Sequence, residues 1–119
     1  MKTTNQNSSS KNNSFDREQY LYLTTRGRKS GLPREIEIWF TFRDGRFYLI
    51  AEYPTSKWVR NLRAAPQVHI RVAGQALAAQ SRFVTFEVEP ELHRAVTDLS
   101  RKKYGWGEGT VVELIPDEP

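Results

Sequence analysis

Between Tyr20 and Pro116, turn-forming residues keep interrupting the chain, and that limits what it can fold into. Gly27, Gly31 and Pro33 break one stretch, Asp44-Gly45 the next and Gly74 a third. What lies between is short and rich in aromatic and β-branched side chains. Tyr20 to Thr25 reads YLYLTT, Glu35 to Phe42 reads EIEIWFTF and Phe47 to Ala51 reads FYLIA. Runs of this length and composition are strands. EIEI alternates charge with isoleucine, which gives a strand one wet face. Phe47 to Ala51 is nearly all apolar and is expected to be central. Asp44-Gly45 is a two-residue hairpin signal. In Gln67 to Ala73, Val68, Ile70 and Val72 face one way, and His69 and Arg71 the other. Gln75 to Glu89 reads as one long strand, bulged or split. Thr110 to Ile115 closes the series, and Pro116 stops it.

Two segments change period. Trp58, Leu62 and Ala65 recur at helical spacing within Lys57 to Ala65, and Pro66 ends that run. Pro90 opens a second helix at its favoured first position. That helix runs to about Tyr104, with Leu92, Val96 and Leu99 on one face. Three strands, a helix, two strands, a helix and a strand predict a mainly β fold. An antiparallel β-barrel with accessory helices fits this order better than a doubly wound sheet. Residues 1–15 are almost wholly Asn, Ser, Thr, Gln and Lys. They are expected to form a disordered polar tail, leaving 16–119 as a single domain. A chain of 119 residues has room for one such core.

Composition removes several chemistries. With no cysteine there is no disulfide, thiol nucleophile or cysteine-held metal. The two histidines, His69 and His93, have no partner at ligand spacing, so no metal site is expected. No apolar run approaches the roughly 18 residues of a membrane helix. The polar start lacks an apolar leader, which points to the cytoplasm and away from membranes. Glu35 and Glu37 share a strand face, but like charges on an exposed strand need no catalytic reason.

Charge says more. There are 18 basic and 14 acidic residues, a net charge of +4. Tyr53 to Phe86 contains Lys57, Arg60, Arg63, Arg71 and Arg82 and no acid. Arg26, Arg28, Lys29 and Arg34 crowd the first turn, around Ser30. Glycines let a backbone approach a ligand, and arginine grips phosphate or carboxylate. The turn therefore reads as an anion site or as an ordinary charged hairpin. It is neither a Walker loop nor a dinucleotide fingerprint. Trp58 suits core packing or ligand stacking, while Arg60 and Asn61 fall outside the apolar stripe. With few acid–base or nucleophilic candidates, an enzyme of this sequence would rely on a cofactor for its chemistry.

LTTRGRKSGLPR at Leu23 to Arg34 resembles the deazaflavin (F420)-dependent nitroreductase family, within the flavin-reductase-like and pyridoxamine 5′-phosphate oxidase-like split β-barrels. RDGRFYLIA, KWVRNLRAAPQVHIRVAG and VVELIP resemble further segments of it, in the same order. The resemblance implies a split β-barrel that binds F420, or FMN in related branches. It implies hydride transfer between the deazaflavin C5 and a small electron-poor acceptor such as a nitroaromatic, quinone or enone. It places Arg28, Lys29, Ser30 and Arg34 on the cofactor phosphate and acidic tail. Trp58, Arg60 and Asn61 would frame the tail or ring, and the backbone at Ile50 and Ala51 would face the ring. Tyr104 and Trp106 would cap the substrate side, with Tyr53 and Tyr104 as candidate proton donors. A homodimer is expected. The competing readings are an FMN-dependent reductase or oxidase of the same fold, and a non-enzymatic barrel binding nucleic acid or another anion. Nucleic acid is disfavoured because no aromatic stripe interleaves with the basic residues.

Overall fold

The computed structural model describes residues 15–117. The polar tail read over the start of the chain lies outside them, except for Phe15. Seven strands and two helices follow in order: β1 (Tyr20–Arg26), β2 (Pro33–Trp39), β3 (Thr41–Arg43), β4 (Arg46–Ala51), α1 (Lys57–Ala64), β5 (Gln67–Val72), β6 (Gln75–Val84), α2 (Pro90–Tyr104) and β7 (Thr110–Pro116). The strands form one antiparallel sheet in the order β2-β1-β5-β6-β7-β4-β3. Its two edge strands are consecutive in the chain, with only Phe40 between them. Residues 39 and 41 sit at most about 7.6 Å apart, two Cα–Cα steps. The two edges must therefore meet at Phe40, and the sheet curls into a barrel split along that seam.

Alternation sorts the side chains into two cores. Leu21, Leu23, Phe47, Leu49, Val68, Ile70, Val112 and Leu114 fill the barrel interior with Phe40. α1 lays Leu62 and Trp58 against this core. Phe15 packs edge-on against Phe42 and Phe47, which joins it to the barrel core. The opposite faces of β4, β6 and β7 carry Tyr48, Ile50, Val84 and Val111, which α2 covers with Leu92 and Val96. β4 is thus apolar because both its faces are covered, although it lies next to the edge rather than at the centre.

Two sequence expectations change. EIEIWFTF is not one strand: it breaks at Phe40, where the chain crosses from one sheet edge to the other. β6 ends at Val84, not at Glu89. There a turn closes with the Glu89 N–H donating to the Thr85 carbonyl at 2.9 Å, and Arg82 reaches forward to hold the Glu89 carboxylate. The Asp44-Gly45 hairpin forms as read, with both residues at positive φ (54° and 78°).

Candidate functional site

The turn between β1 and β2 is tied to α1. The Gly27 N–H donates to the Leu32 carbonyl at 2.8 Å, and the Gly31 N–H to the Gly27 carbonyl at 2.9 Å. Ser30 Oγ accepts from the Leu32 N–H at 3.1 Å, which leaves its own proton free to donate. A Cβ on Gly27 would stand 2.8 Å from Ser30 Oγ and 3.2 Å from the Leu32 carbonyl oxygen, so a side chain there would push the Ser30 hydroxyl off its bond to Leu32. Asn61, buried on α1, donates from Nδ2 to Thr25 Oγ1 at 3.0 Å. Its Oδ1 accepts from Arg28 Nε at 3.2 Å, which aims the guanidinium while leaving its outer nitrogens open. Among the described residues none of Arg26, Arg28, Lys29, Arg34 or Arg60 enters an ion pair.

The other end of the β1–β2 hairpin is apolar. A cavity of about 600 Å³ opens there, lined by Tyr20, Ile38, Trp39, Ile50 and Trp106, with Glu37 and Glu52 beside them. Seven residues of strand separate this end from the basic turn, about 20 Å. Trp39 is held from behind. The Tyr104 ring stacks flat on it, 4.3 Å between centroids and 4° between planes, and Trp106 meets it edge-on. The Tyr104 hydroxyl accepts from the Phe40 N–H at 3.0 Å, and the Gln19 and Phe40 carbonyls both lie 2.8 Å from it. Lys103 adds bonds from Nζ to the Glu18 and Phe40 carbonyls, at 2.7 and 3.0 Å. Burial pushes the Tyr104 phenol up and the Lys103 ammonium down. The end of α2 therefore clasps the barrel seam and the cavity wall together. Ser100 Oγ holds the Trp106 carbonyl at 2.5 Å. Past it Gly109, at φ 140°, passes so close to β4 that any Cβ would overlap the Ala51 carbonyl.

A family model for F420H(2)-dependent quinone reductases matches residues 1–114. The chain belongs to that family. Its fold is shared by an F420-H2-dependent reductase, with 18% identity over 82% of this chain and 94% of that one and a TM-score of 0.68. The heme storage protein HutZ from Vibrio cholerae matches with 17% identity over 93% and 90% of the two chains, TM-score 0.75. A FAD-binding protein from Mesorhizobium loti matches with 16% identity over 89% and 86%, TM-score 0.68. The mainly β split barrel and the membership expected from the Leu23–Arg34 segment both stand.

In this F420H(2)-dependent quinone reductase family member, the residues singled out from sequence fall into two groups. Arg28, Lys29, Ser30, Arg34, Trp58, Arg60 and Asn61 belong to the turn and to the helix bound to it. Ile50, Ala51, Tyr53, Tyr104 and Trp106 lie toward the cavity end. The loop after β4 and α1 join the groups, running from Glu52 at the cavity to Asn61 at the turn. Trp58 packs half-buried on the barrel core, and Asn61 is a buried tether for Thr25 and Arg28. Tyr104 stands behind Trp39 with its hydroxyl committed to backbone. Tyr53 is exposed, and its hydroxyl makes no hydrogen bond among the described residues.

Sequence reasoning missed Trp39, Tyr20 and Glu113. A large aromatic at the end of an edge strand was the available signal for Trp39. For Glu113 it was a lone acid inside the apolar run TVVELIP. Its fully buried carboxylate accepts from Tyr48 Oη at 2.7 Å, Arg82 Nε at 2.6 Å and Arg46 Nη1 at 3.3 Å. Burial alone would push this carboxyl up. The bonds from Tyr48 and Arg82, with the charges of Arg82 and Arg46, outweigh it, and the net shift is downward. Burial and the bond to Glu113 push Tyr48 up to about 12. Arg82 also grips Glu89 with two bonds, at 2.7 and 2.9 Å, and this lowers the Glu89 carboxyl.

Proposed function

We propose that this chain binds F420 and catalyses hydride transfer between it and a small electron-poor acceptor, of the nitroaromatic, quinone or enone type. The observation that carries the reading is the basic turn. Its cations enter no ion pair among the described residues, and one of them is aimed by a buried asparagine. Arginines left unpaired on a rigid scaffold suit an anionic ligand. The residues fit the cofactor in polarity: the turn is cationic and open, and an aromatic cavity lies one hairpin length away. When bound, F420 supplies the hydride chemistry.

Each residue then has a physical task. Arg28, Lys29, Arg34 and the Ser30 hydroxyl hold the phosphate and acidic tail, with Arg60 beside them. Trp58 and Asn61 hold α1 and the turn in register. The Ile50 and Ala51 backbone, at the end of β4, faces the ring. Trp39 and Trp106 exclude water from the place where the acceptor lies, which strengthens electrostatic contacts there. Tyr53 is the free hydroxyl of the two candidates named from sequence. A homodimer suits the open edge of β2, which pairs only with β1.

The test is equilibrium binding of F420 and of FMN, followed by fluorescence, to the wild type and to the Arg28→Ala/Lys29→Ala variant. Micromolar F420 binding, weaker FMN binding and a drop of about 100-fold in the variant are expected. Two lost charge-assisted contacts at about 1.5 kcal/mol each give a change of that size. Equal F420 affinity in the two proteins would overturn the site. FMN bound more tightly than F420 would transfer the reading to a flavin enzyme.

A further inference from the structure

The apolar cavity carries a sign as well as a shape. The charged side chains lining it are both acidic, Glu37 and Glu52, and no lysine or arginine lines it. Neither carboxylate enters an ion pair among the described residues. Across the β1–β2 pair Glu37 stands opposite Tyr22, whose ring carries Arg71 at 4.3 Å, and that guanidinium is paired with Glu35. Lys103 lies behind Tyr104, with its ammonium turned to two backbone carbonyls. The basic turn is about 20 Å away, more than two screening lengths at physiological salt. A ligand in the cavity therefore meets the faces of Trp39 and Tyr20, half-exposed at 41% and 44%, beside two carboxylates.

We infer that this cavity selects flat aromatic cations, of the N-alkylated heteroaromatic or iminium class, and rejects anionic acceptors of the same shape. The inference rests on the hydride-transfer reading above and names the acceptor class for it. Ring cations are attracted to indole and phenol faces, and carboxylates beside those faces add to the attraction. The chemistry agrees. A neutral acceptor that takes a hydride becomes an anion and then needs a proton. The titratable side chains lining the cavity are two carboxylates and the Tyr20 phenol, and the Tyr104 hydroxyl behind them is engaged by backbone. A cationic acceptor needs no proton. The electron pair and hydrogen of the donor's C–H bond become a C–H bond on the acceptor ring. The acceptor is reduced and its charge cancelled, while the donor is oxidised and its remaining ring proton passes to water. The neutral product then loses its attraction to Glu37 and Glu52, which favours release.

Two flat tricyclic probes test this: N-methylacridinium and anthraquinone-2-sulfonate. Equilibrium dialysis against the full chain, alone and loaded with oxidised F420, is expected to show the cation bound at least tenfold more tightly. That preference should shrink at high salt and fall to within about twofold in Glu37→Gln/Glu52→Gln, each single variant lying between. Equal affinity for the two probes, or a preference that survives the double substitution, would overturn the inference. Turnover with reduced F420 gives the second readout: KM for N-methylacridinium rises about tenfold in the double variant, with kcat unchanged. A cation that binds with this preference but is never reduced would overturn the reductase reading and leave the charge selection standing. Sulfonate reduced as efficiently as the cation would do the reverse.

Discussion

Arginine serves opposite ends on two sides of this barrel. On the α2 side, Arg82 and Arg46 converge on the buried Glu113, and Arg82 also takes both oxygens of Glu89. At the β1–β2 turn, Arg28, Lys29 and Arg34 face no carboxylate among the described residues. The first group answers a charge that the fold itself has buried. In the second, Arg28 is held by an uncharged partner, Asn61, and none of the three charges is answered by an ion pair among the described residues. Charge satisfied within the chain stabilises the fold, and charge left over at the turn is what the proposed cofactor site would use.

The sharpest way to break the contrast is to exchange the losses. Arg82→Met leaves Glu113 buried with Tyr48 and the more distant Arg46. It should cost about 3 kcal/mol in denaturant unfolding and leave F420 affinity within twofold. Arg28→Ala/Lys29→Ala should do the converse, with unfolding within about 0.5 kcal/mol of wild type for an exposed pair while binding falls about 100-fold. If either variant moved both quantities together, the division would fail.

A smaller effect separates the sides by pH. Glu113 and Glu89 have carboxyls lowered by folding, so their contribution is present above the unfolded value near 4.5 and lost as pH falls through the lower folded value. Tyr48 works in the other direction. Its contribution holds below the unfolded value of 10.0 and is lost as pH rises toward about 12. Thermal midpoints of the wild type should fall at both extremes, and those of Arg82→Met should fall less on the acid side. Next in size is Tyr104→Phe, which keeps the stack on Trp39 but frees the Phe40 N–H, at a cost of about 1 kcal/mol. It should lower the thermal midpoint by a few degrees and make the emission of Trp39 more accessible to acrylamide, measured with Trp58 and Trp106 replaced by Phe. Unchanged quenching would mean that the cavity wall does not depend on the clasp. The smallest change expected is Ser30→Ala, a few-fold loss of F420 affinity with no loss of stability.

The strands were legible because their alternation is local. Val68, Ile70 and Val72 face the barrel interior as the pattern says, and Asp44-Gly45 turns where it should. The break at Phe40 was not legible. WFT continues the pattern of a strand, and the reason for the break is the meeting of two sheet edges far apart in sheet order. The end of β6 was hidden for the same reason: TFEVE alternates like a strand, but Arg82 captures Glu89. At the site, residue type gave the basic turn, and the tertiary fold gave its companions. Asn61 was read as a ligand candidate for lack of apolar character. Its buried place between Thr25 and Arg28 makes it the part that orients the turn.

The single-residue seam at Phe40 also bears on synthesis. Its clasp comes from residues 103 and 104, which bind backbone at Glu18, Gln19 and Phe40 across as many as 85 positions of sequence. β4 likewise waits for β7 as its inner neighbour. A nascent chain on the ribosome can pair β1 with β2 and β5 with β6 as they emerge. It cannot shut the barrel until α2 has left the exit tunnel. Until then the edges of β4 and β6 that β7 later joins stay unpaired, the interval in which this protein is most exposed to aggregation and to chaperone capture.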